Sequence, residues 1–257
     1  MANTVYANKV IEAKAKDLLA TSVNTRSLMT IDNDLAQNAG MTKVINTYTY
    51  TGEAEELGVG EGNSNRGSIS FVPTEYTVKV VQQAFDYADE DFYKDPSIVD
   101  NGLKGANQLM VNKMTADFLG ECAKASLSVA AGSALGYDAI VDGIAKLNVE
   151  DESKLFVLIP NEWKADLRKD EDYKTARMGE VIYNGQVGTV AGIPVIASKA
   201  ATEAYVMSPE AVKLFLKKDV EVEQDRDKDT RTNSIYLRAV YLAALADATK
   251  ICKITKA

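Results

Sequence analysis

The spacing of apolar positions along this chain changes at a few points, and those changes mark its elements. From Val44, "VINTYTYT" is rich in β-branched and aromatic residues. It is answered between Ser68 and Tyr87 by "SISFVPTEYTVKVVQQAFDY", where Ile69 and Phe71, then Tyr76, Val78 and Val80, alternate at period two. The pattern predicts a long hairpin, and Pro73 marks an edge or a bend in its returning strand. The intervening "GEAEELGVGEGNSNRG" is glycine-rich, acidic and too long for a tight turn, which predicts a mobile tip. Asp95-Pro96-Ser97 then opens a helix, with a capping residue ahead of a proline placed where helices accept it. Val99, Leu103, Ala106, Met110, Met114 and Phe118 follow at three- and four-residue steps and give it one apolar face. From Ile98 to Ala125 such a rod would be ~40 Å long at ~1.5 Å per residue. The small residues of "SVAAGSALGY" end it.

On either side of this middle portion the pattern differs. Residues 5–20 read as a helix, whereas 22–43 carry no steady period and predict an extended arm that needs a partner to order it. From Asp138 a second region begins: "YDAIVDGIAKLN" is a short amphipathic helix and "KLFVLI" a short buried strand. "PNEWKADLRKD" starts another helix, with Asn161 as its cap and Trp163 and Leu167 facing inward. Strands and helices alternate from there, which reads as an α/β layer within an α+β chain. The apolar run "SIYLRAVYLAALADATKICKI" is expected to return and pack beside the rod.

Composition narrows the function. At 257 residues and 46% hydrophobic the chain can fill a sizeable core. Its longest uncharged apolar stretch, Ala239 to Ala246, falls well short of the ~20 residues of a bilayer-spanning helix, so no membrane partner is expected. The first twenty residues lack the apolar core of a secretory signal, which points to a cytoplasmic start. Histidine is absent, removing the commonest general base and metal ligand. Cys122 and Cys252 are too few for a disulfide framework or a cysteine-built zinc site. A net charge of −8 argues against grip on nucleic acid, whose affinity comes from lysine and arginine displacing counterions.

The motifs with chemical overtones fail on their own terms. "GVGEGN" (58–63) is followed by a strand and not by the helix a phosphate loop requires, and Glu53, Glu55, Glu56 and Glu61 would repel phosphate. "DRDKDT" spaces Asp225, Asp227 and Asp229 as a calcium loop does, yet Thr230 stands where glycine is needed and Tyr236 where glutamate is needed. It reads as a solvated turn between strands. Asp138 and Asp142, one helical turn apart, have no second carboxylate pair, and Met110 and Met114 are core filling. No catalytic, cofactor-binding or metal-binding residue is expected. What stands out is a shape problem: a ribbon ~30 Å long, at ~3.3 Å per residue, is marginal alone in water and needs a surface to lie on. The acidic tip with Arg66 is the expected inter-subunit contact, and Lys213, Lys217 and Lys218 are a possible basic counter-surface on another copy.

The phrases "LFVLIPNEWKADLRK", "VGTVAGIPVIAS" and "TRTNSIYLRAVYLAALADATKICKI", in that order and spacing, resemble the Hong Kong 97-type major capsid proteins of tailed bacteriophages. The resemblance implies an N-terminal arm (1–43) and an extended hairpin loop (44–87). A peripheral domain with a spine helix (88–134), an axial domain (135–232) and a C-terminal return to the peripheral domain (233–257) would follow. It implies that "GTVAGIPVIAS" is a packing element of the axial domain, Gly192 and Pro194 setting a turn and Val195 and Ile196 entering the core. The implied function is structural and not enzymatic: pentamers and hexamers closing an icosahedral shell around double-stranded DNA, assembled in the host bacterial cytoplasm and found in the virion. Portal, and scaffolding or decoration proteins, would be its further partners. The fold's namesake welds its shell through a lysine of the extended loop, but no lysine lies between Lys43 and Lys79, so a shell without that crosslink is expected. The chain begins without a long charged helical prefix, so scaffolding would come from another protein or be unnecessary. An encapsulin-like compartment carrying enzyme cargo is the alternative, and a soluble α/β enzyme using a carboxylate pair is a third.

Overall fold

The computed structural model describes residues 25–176 and 188–256; the helix expected over residues 5–20 lies outside them. The segment expected to be an extended arm folds onto its own chain from Thr25. A 3-10 turn (Thr25–Leu28) leads into strand β1 (Thr30–Asp32) and a single-turn helix α1 (Asp34–Gln37). Met29 and Leu35, buried at either end, account for this, because two apolar anchors in seven residues hold a segment without any helical or strand period. β1 lies parallel to β10 (Val212–Arg226), which pairs antiparallel with β11 (Thr232–Leu245), and β11 with β4 (Lys79–Ala88). These four strands form one sheet in the order β1-β10-β11-β4.

The returning strand of the hairpin is not continuous as the alternation predicted. It divides at Val78 into β3 (Ser68–Thr77), which pairs with β2 (Thr42–Thr51) as a separate two-stranded ribbon, and β4, which belongs to the body. The Val78 side chain is buried in a small cluster with Leu35, Phe215, Val240, Leu242 and Ala244, so the strand is pinned where it changes sheets. After α2 (Asp89–Lys94), the long helix α3 runs Ile98–Cys122 with all six predicted apolar-face residues buried. Asp95 steadies its entry by accepting hydrogen bonds from the Ser97 amide at 2.9 Å and hydroxyl at 2.6 Å. Gly102 is demanded by packing, since a Cβ there would lie 2.4 Å from the Phe85 ring of β4.

The second sheet has six strands. The small-residue stretch expected only to break the rod also supplies β5 (Leu127–Ala130), which is followed by α4 (Tyr137–Leu147) and β6 (Phe156–Pro160). Asn161 does not cap the next helix as predicted. It sits inside a 3-10 turn (Asn161–Trp163) that leads into α5 (Lys164–Lys169) and α6 (Glu171–Ala176), with Leu167 buried and Trp163 half-buried. β7 (Thr189–Val190) and β8 (Ile193–Ser198) form a tight hairpin. Its turn is Ala191-Gly192, both at positive φ, and Pro194 lies in the strand beyond it. Val190 and Ile193 go deepest, while Val195 and Ile196 are half-buried, so the element packs but with different residues leading. β9 (Ala204–Met207) and β12 (Ile251–Thr255) complete the order β5-β12-β9-β6-β8-β7.

β6 reads as an unbroken apolar run because both its faces are covered. Phe156 and Leu158 join the core shared with α3 and the four-stranded sheet, while Val157 and Ile159 join the core under α4 and α5. The C-terminal run divides the same way: β11 packs beside α3 as expected, but β12 returns to the second sheet between β5 and β9. β10, expected with the axial region, instead pairs with β11. Its hairpin turn at 227–231 is the solvated turn predicted from "DRDKDT", with the Asp227 carboxylate accepting the Asp229 amide at 2.9 Å.

Candidate assembly surface

The ribbon β2–β3 is the part of the molecule whose chemistry its own fold leaves unfinished. Its register sets Tyr48 opposite Phe71 and Tyr50 opposite Ile69, with Val44 and Pro73 on the same face, so period-two alternation builds one apolar face. Tyr48 and Phe71 meet edge to face with centroids 5.1 Å apart. The opposite face carries Thr47, Thr49, Ser70 and the Thr51–Ser68 pair, whose hydroxyls lie 3.1 Å apart. Near the root this second face also carries Ile45 and Tyr76, which pack against the Val78 cluster. At its root the ribbon therefore turns this second face towards its own body and the aromatic face away, while further out both faces are exposed, with Val72 among the hydroxyls of the second. Tyr48 and Tyr50 are 67% and 66% exposed, and Phe71 and Ile69 are 60% and 59% exposed. Contiguous large apolar groups at such exposure mark an interaction surface.

At the root, polar contacts tie the ribbon to the body. Lys79, the first residue of β4, donates to Asp117 of α3 at 2.8 Å; Lys113 donates to the same carboxylate oxygen at 3.2 Å, and the Tyr241 hydroxyl to the other at 3.0 Å. The Asp117 side chain is only 8% exposed. Burial pushes its acidity one way, but the hydrogen bonds from Lys79, Tyr241 and Lys113 outweigh it and hold the carboxyl below its ordinary range. Burial and the neighbouring carboxylate push the Tyr241 phenol up, which keeps it a donor. Just beyond the end of α3, Lys124 lies 5.3 Å from the Tyr76 ring centroid.

The predicted contact residues divide. Glu53, Glu56 and Arg66 are exposed around the tip, and Glu53 and Arg66 line one open groove with Tyr50 and Asn63. Glu55, equally exposed, also staples the tip to itself: its carboxylate accepts the Ser64 and Asn65 amides, at 2.8 and 3.1 Å, and the Ser64 hydroxyl at 2.9 Å. The amide and hydroxyl of Ser64, then the Asn65 amide, hold its acid below the usual carboxylate range. Glu61 accepts the Gly58 amide at 3.1 Å. Within the tip, two of its own acids thus accept hydrogen bonds from the loop they belong to. Lys213, Lys217 and Lys218 do not make one basic counter-surface. All three lie on β10, where the register shifts between Leu216 and Lys218 and again before Glu221. Lys217 donates to the Asn38 carbonyl at 3.1 Å and to that of Gly40, and Lys218 pairs with Glu221 at 2.7 Å.

Alternation within each strand carries part of the signal for the aromatic face, but only cross-strand register puts Tyr48, Phe71, Tyr50 and Ile69 together. Among the described residues no group of three or more histidine, cysteine, aspartate or glutamate side chains could hold a metal. No described helix is long and apolar enough to cross a membrane. Both thiols are buried, and burial pushes both up in pKa, away from the reactive thiolate.

Comparison with known proteins places this architecture. No family model matches the chain. A curated relative, the major capsid protein of Staphylococcus phage phiMR11, is 27% identical over 242 residues, covering 90% of this chain and 86% of that protein. Among solved structures, the capsid of a native GTA particle superposes with a TM-score of 0.72 at 12% identity, covering 91% of this chain and 90% of that one. The mature capsid of bacteriophage PhiM1 gives 0.69 at 13% identity, covering 90% and 86%. A virus-like particle from Pyrococcus furiosus gives 0.68 at 7%, covering 96% and 98%. With its long helix, its two sheets and its projecting ribbon, the chain has the Hong Kong 97-type capsid fold, an α+β architecture.

Proposed function

We propose that this chain is the major capsid protein of a tailed phage, which tiles with copies of itself into a closed shell. The observation that carries the reading is the orientation of the ribbon. Its aromatic face is opposite to the one that packs on the Val78 cluster and stays exposed among the described residues, so a neighbouring subunit is the proposed cover. Such a contact is heterologous, one copy's ribbon on another copy's body, and heterologous contacts close into rings when the rotation permits. Pentamers and hexamers are the rings an icosahedral shell needs. Many modest interfaces then add through closure. The similarity to the phiMR11 major capsid protein supports the same reading and favours it over a cargo compartment.

Double-stranded DNA is the proposed content, and the net charge of −8 lets it lie against the wall without being gripped. A shell filled with DNA needs an entry vertex, so a portal is a proposed partner, with scaffolding or decoration proteins as others. Assembly in the host cytoplasm and a place in the virion belong to the same proposal. So does a shell held by non-covalent contacts, because beyond Lys43 at its root the ribbon carries no lysine for an isopeptide bond. At the tip, exposed Glu53, Glu56 and Arg66 are proposed to touch the neighbouring subunit.

Electron microscopy of the purified protein tests the reading. Shells or capsomers are expected from the parent chain and only dispersed subunits from Tyr48→Ser/Phe71→Ser. A parent chain that stays monomeric at every concentration would overturn it, as would a double variant that assembles like the parent. Mass spectrometry of the particles should find no isopeptide through residues 44–78.

A further inference from the structure

We infer that Asp117, acting through Lys79, is the positioning residue that sets the angle at which the ribbon leaves the body. The consequence for shell geometry rests on the proposed function; the positioning itself does not. Any swing of the ribbon must be absorbed where its two strands join the body, around Gly40–Thr42 on the way out and Thr77–Lys79 on the way back. On the outgoing side Lys217 holds the carbonyls of Asn38 and Gly40. On the returning side the Val78 amide donates to the Met41 carbonyl at 2.7 Å, joining the two strands to each other, and the next residue, Lys79, reaches Asp117. Lys79 also stands opposite Tyr241 in the β4–β11 register, so one carboxylate gathers the helix, the central strand and the ribbon root.

The three partners of Asp117 are not equivalent. Lys113 sits on the same helix, four residues away, and supplies a counter-charge; Tyr241 lies on the central strand and satisfies the second oxygen. All three compensate a buried carboxylate, whose cost without partners would be high. Lys79 contributes most to holding the carboxyl ionised, but its own side chain is half exposed and Lys113 and Tyr241 remain when it is removed. It is the one of the three next to the point where the strand changes sheets, so its contact restrains direction more than it stabilises the fold.

This makes the proposal separable from stability. Lys79→Met leaves Asp117 with Lys113 and Tyr241, whereas Asp117→Asn weakens all the ties at once. Spin labels at Val59→Cys on the tip and Leu109→Cys on α3, both exposed, report the ribbon angle by double electron–electron resonance in full-length subunits. The background is Tyr48→Ser/Phe71→Ser, so that assembly does not intervene. The expected result is a single narrow distance distribution in that background and one about twofold broader with Lys79→Met, at a melting temperature lowered less than by Asp117→Asn. Lys218→Met, which removes an exposed ion pair elsewhere, should leave the width alone. An unchanged width with Lys79→Met overturns the proposal, even if Asp117→Asn broadens it, and so does a width that follows the melting temperature alone. None of these measurements needs a shell, so failure of the parent chain to form particles would count against the proposed function and not against this hinge.

Discussion

Strand β11 and the ribbon are written in the same alternating language and end in opposite environments. In β11, Ile235, Leu237, Ala239, Tyr241 and Ala243 point at α3 and are buried to within a few per cent. In the ribbon, Tyr48, Tyr50, Ile69 and Phe71 form an equally apolar face with nothing over it. A covered face does folding work, because its area leaves water when the chain collapses. An uncovered one keeps that free energy available for association. The difference teaches that the ribbon is to be judged by what it does between molecules and the β11 sheet by what it does within one.

The sharpest way to break this comparison is to truncate one aromatic in each region. Phe118→Ala in α3, under the β11 sheet, should cost about 3–5 kcal/mol of subunit stability in a denaturant titration. Phe71→Ala in the ribbon should cost no more than about 0.5 kcal/mol there, yet strongly reduce particle yield by electron microscopy. Equal stability losses would remove the distinction. Gly102→Ala comes next: the new methyl must displace the Phe85 ring, and the strain exceeds what alanine gains in a helix, for a net loss of about 1–2 kcal/mol in a thermal melt.

Acid probes the join between the two regions. The Asp117 carboxyl has a folded pKa below its unfolded value, so its stabilisation is in full force above the ordinary aspartate range and is lost as pH falls through that lowered value. Stability against pH should therefore decline in this acid window more steeply in the parent than in Asp117→Asn; identical acid limbs would show that the cluster does not couple to folding. The smallest effect is expected at the surface of β10, where Lys218→Ala removes an exposed pair with Glu221 and should shift stability by less than about 0.5 kcal/mol.

Legibility followed how local each cause was. The long helix was readable because six apolar residues at helical spacing fix one face regardless of what covers it, and all six are buried. The hairpin was readable from alternation, but not the break at Val78, which depends on Phe215 and Val240 arriving from strands more than a hundred residues away. Residues 25–38 gave no periodic signal, and their order comes from two buried anchors and a parallel pairing with β10. Pro194 misled for a similar reason: proline and glycine both advertise turns, and only the backbone shows that Ala191-Gly192 makes this one.

For the candidate surface, charge was the poorer guide. The acidic tip drew attention, yet Glu55 spends its charge on amides of its own loop and Lys217 on the carbonyls at the ribbon root. An ionic side chain's partner is set by whatever lies within a few ångströms in space, which sequence separation does not give. The sequence by itself determined the elements, the apolar stripe of α3, the amphipathic ribbon and the want of histidine chemistry, because these depend on residue type and period. Tertiary structure alone decided that the ribbon's aromatic side faces outward at its root and that Asp117, already one turn from Lys113 on its own helix, also gathers Lys79 and Tyr241. Both depend on strand register and on contacts between residues far apart in the chain, and chain order leaves those free until the core has packed.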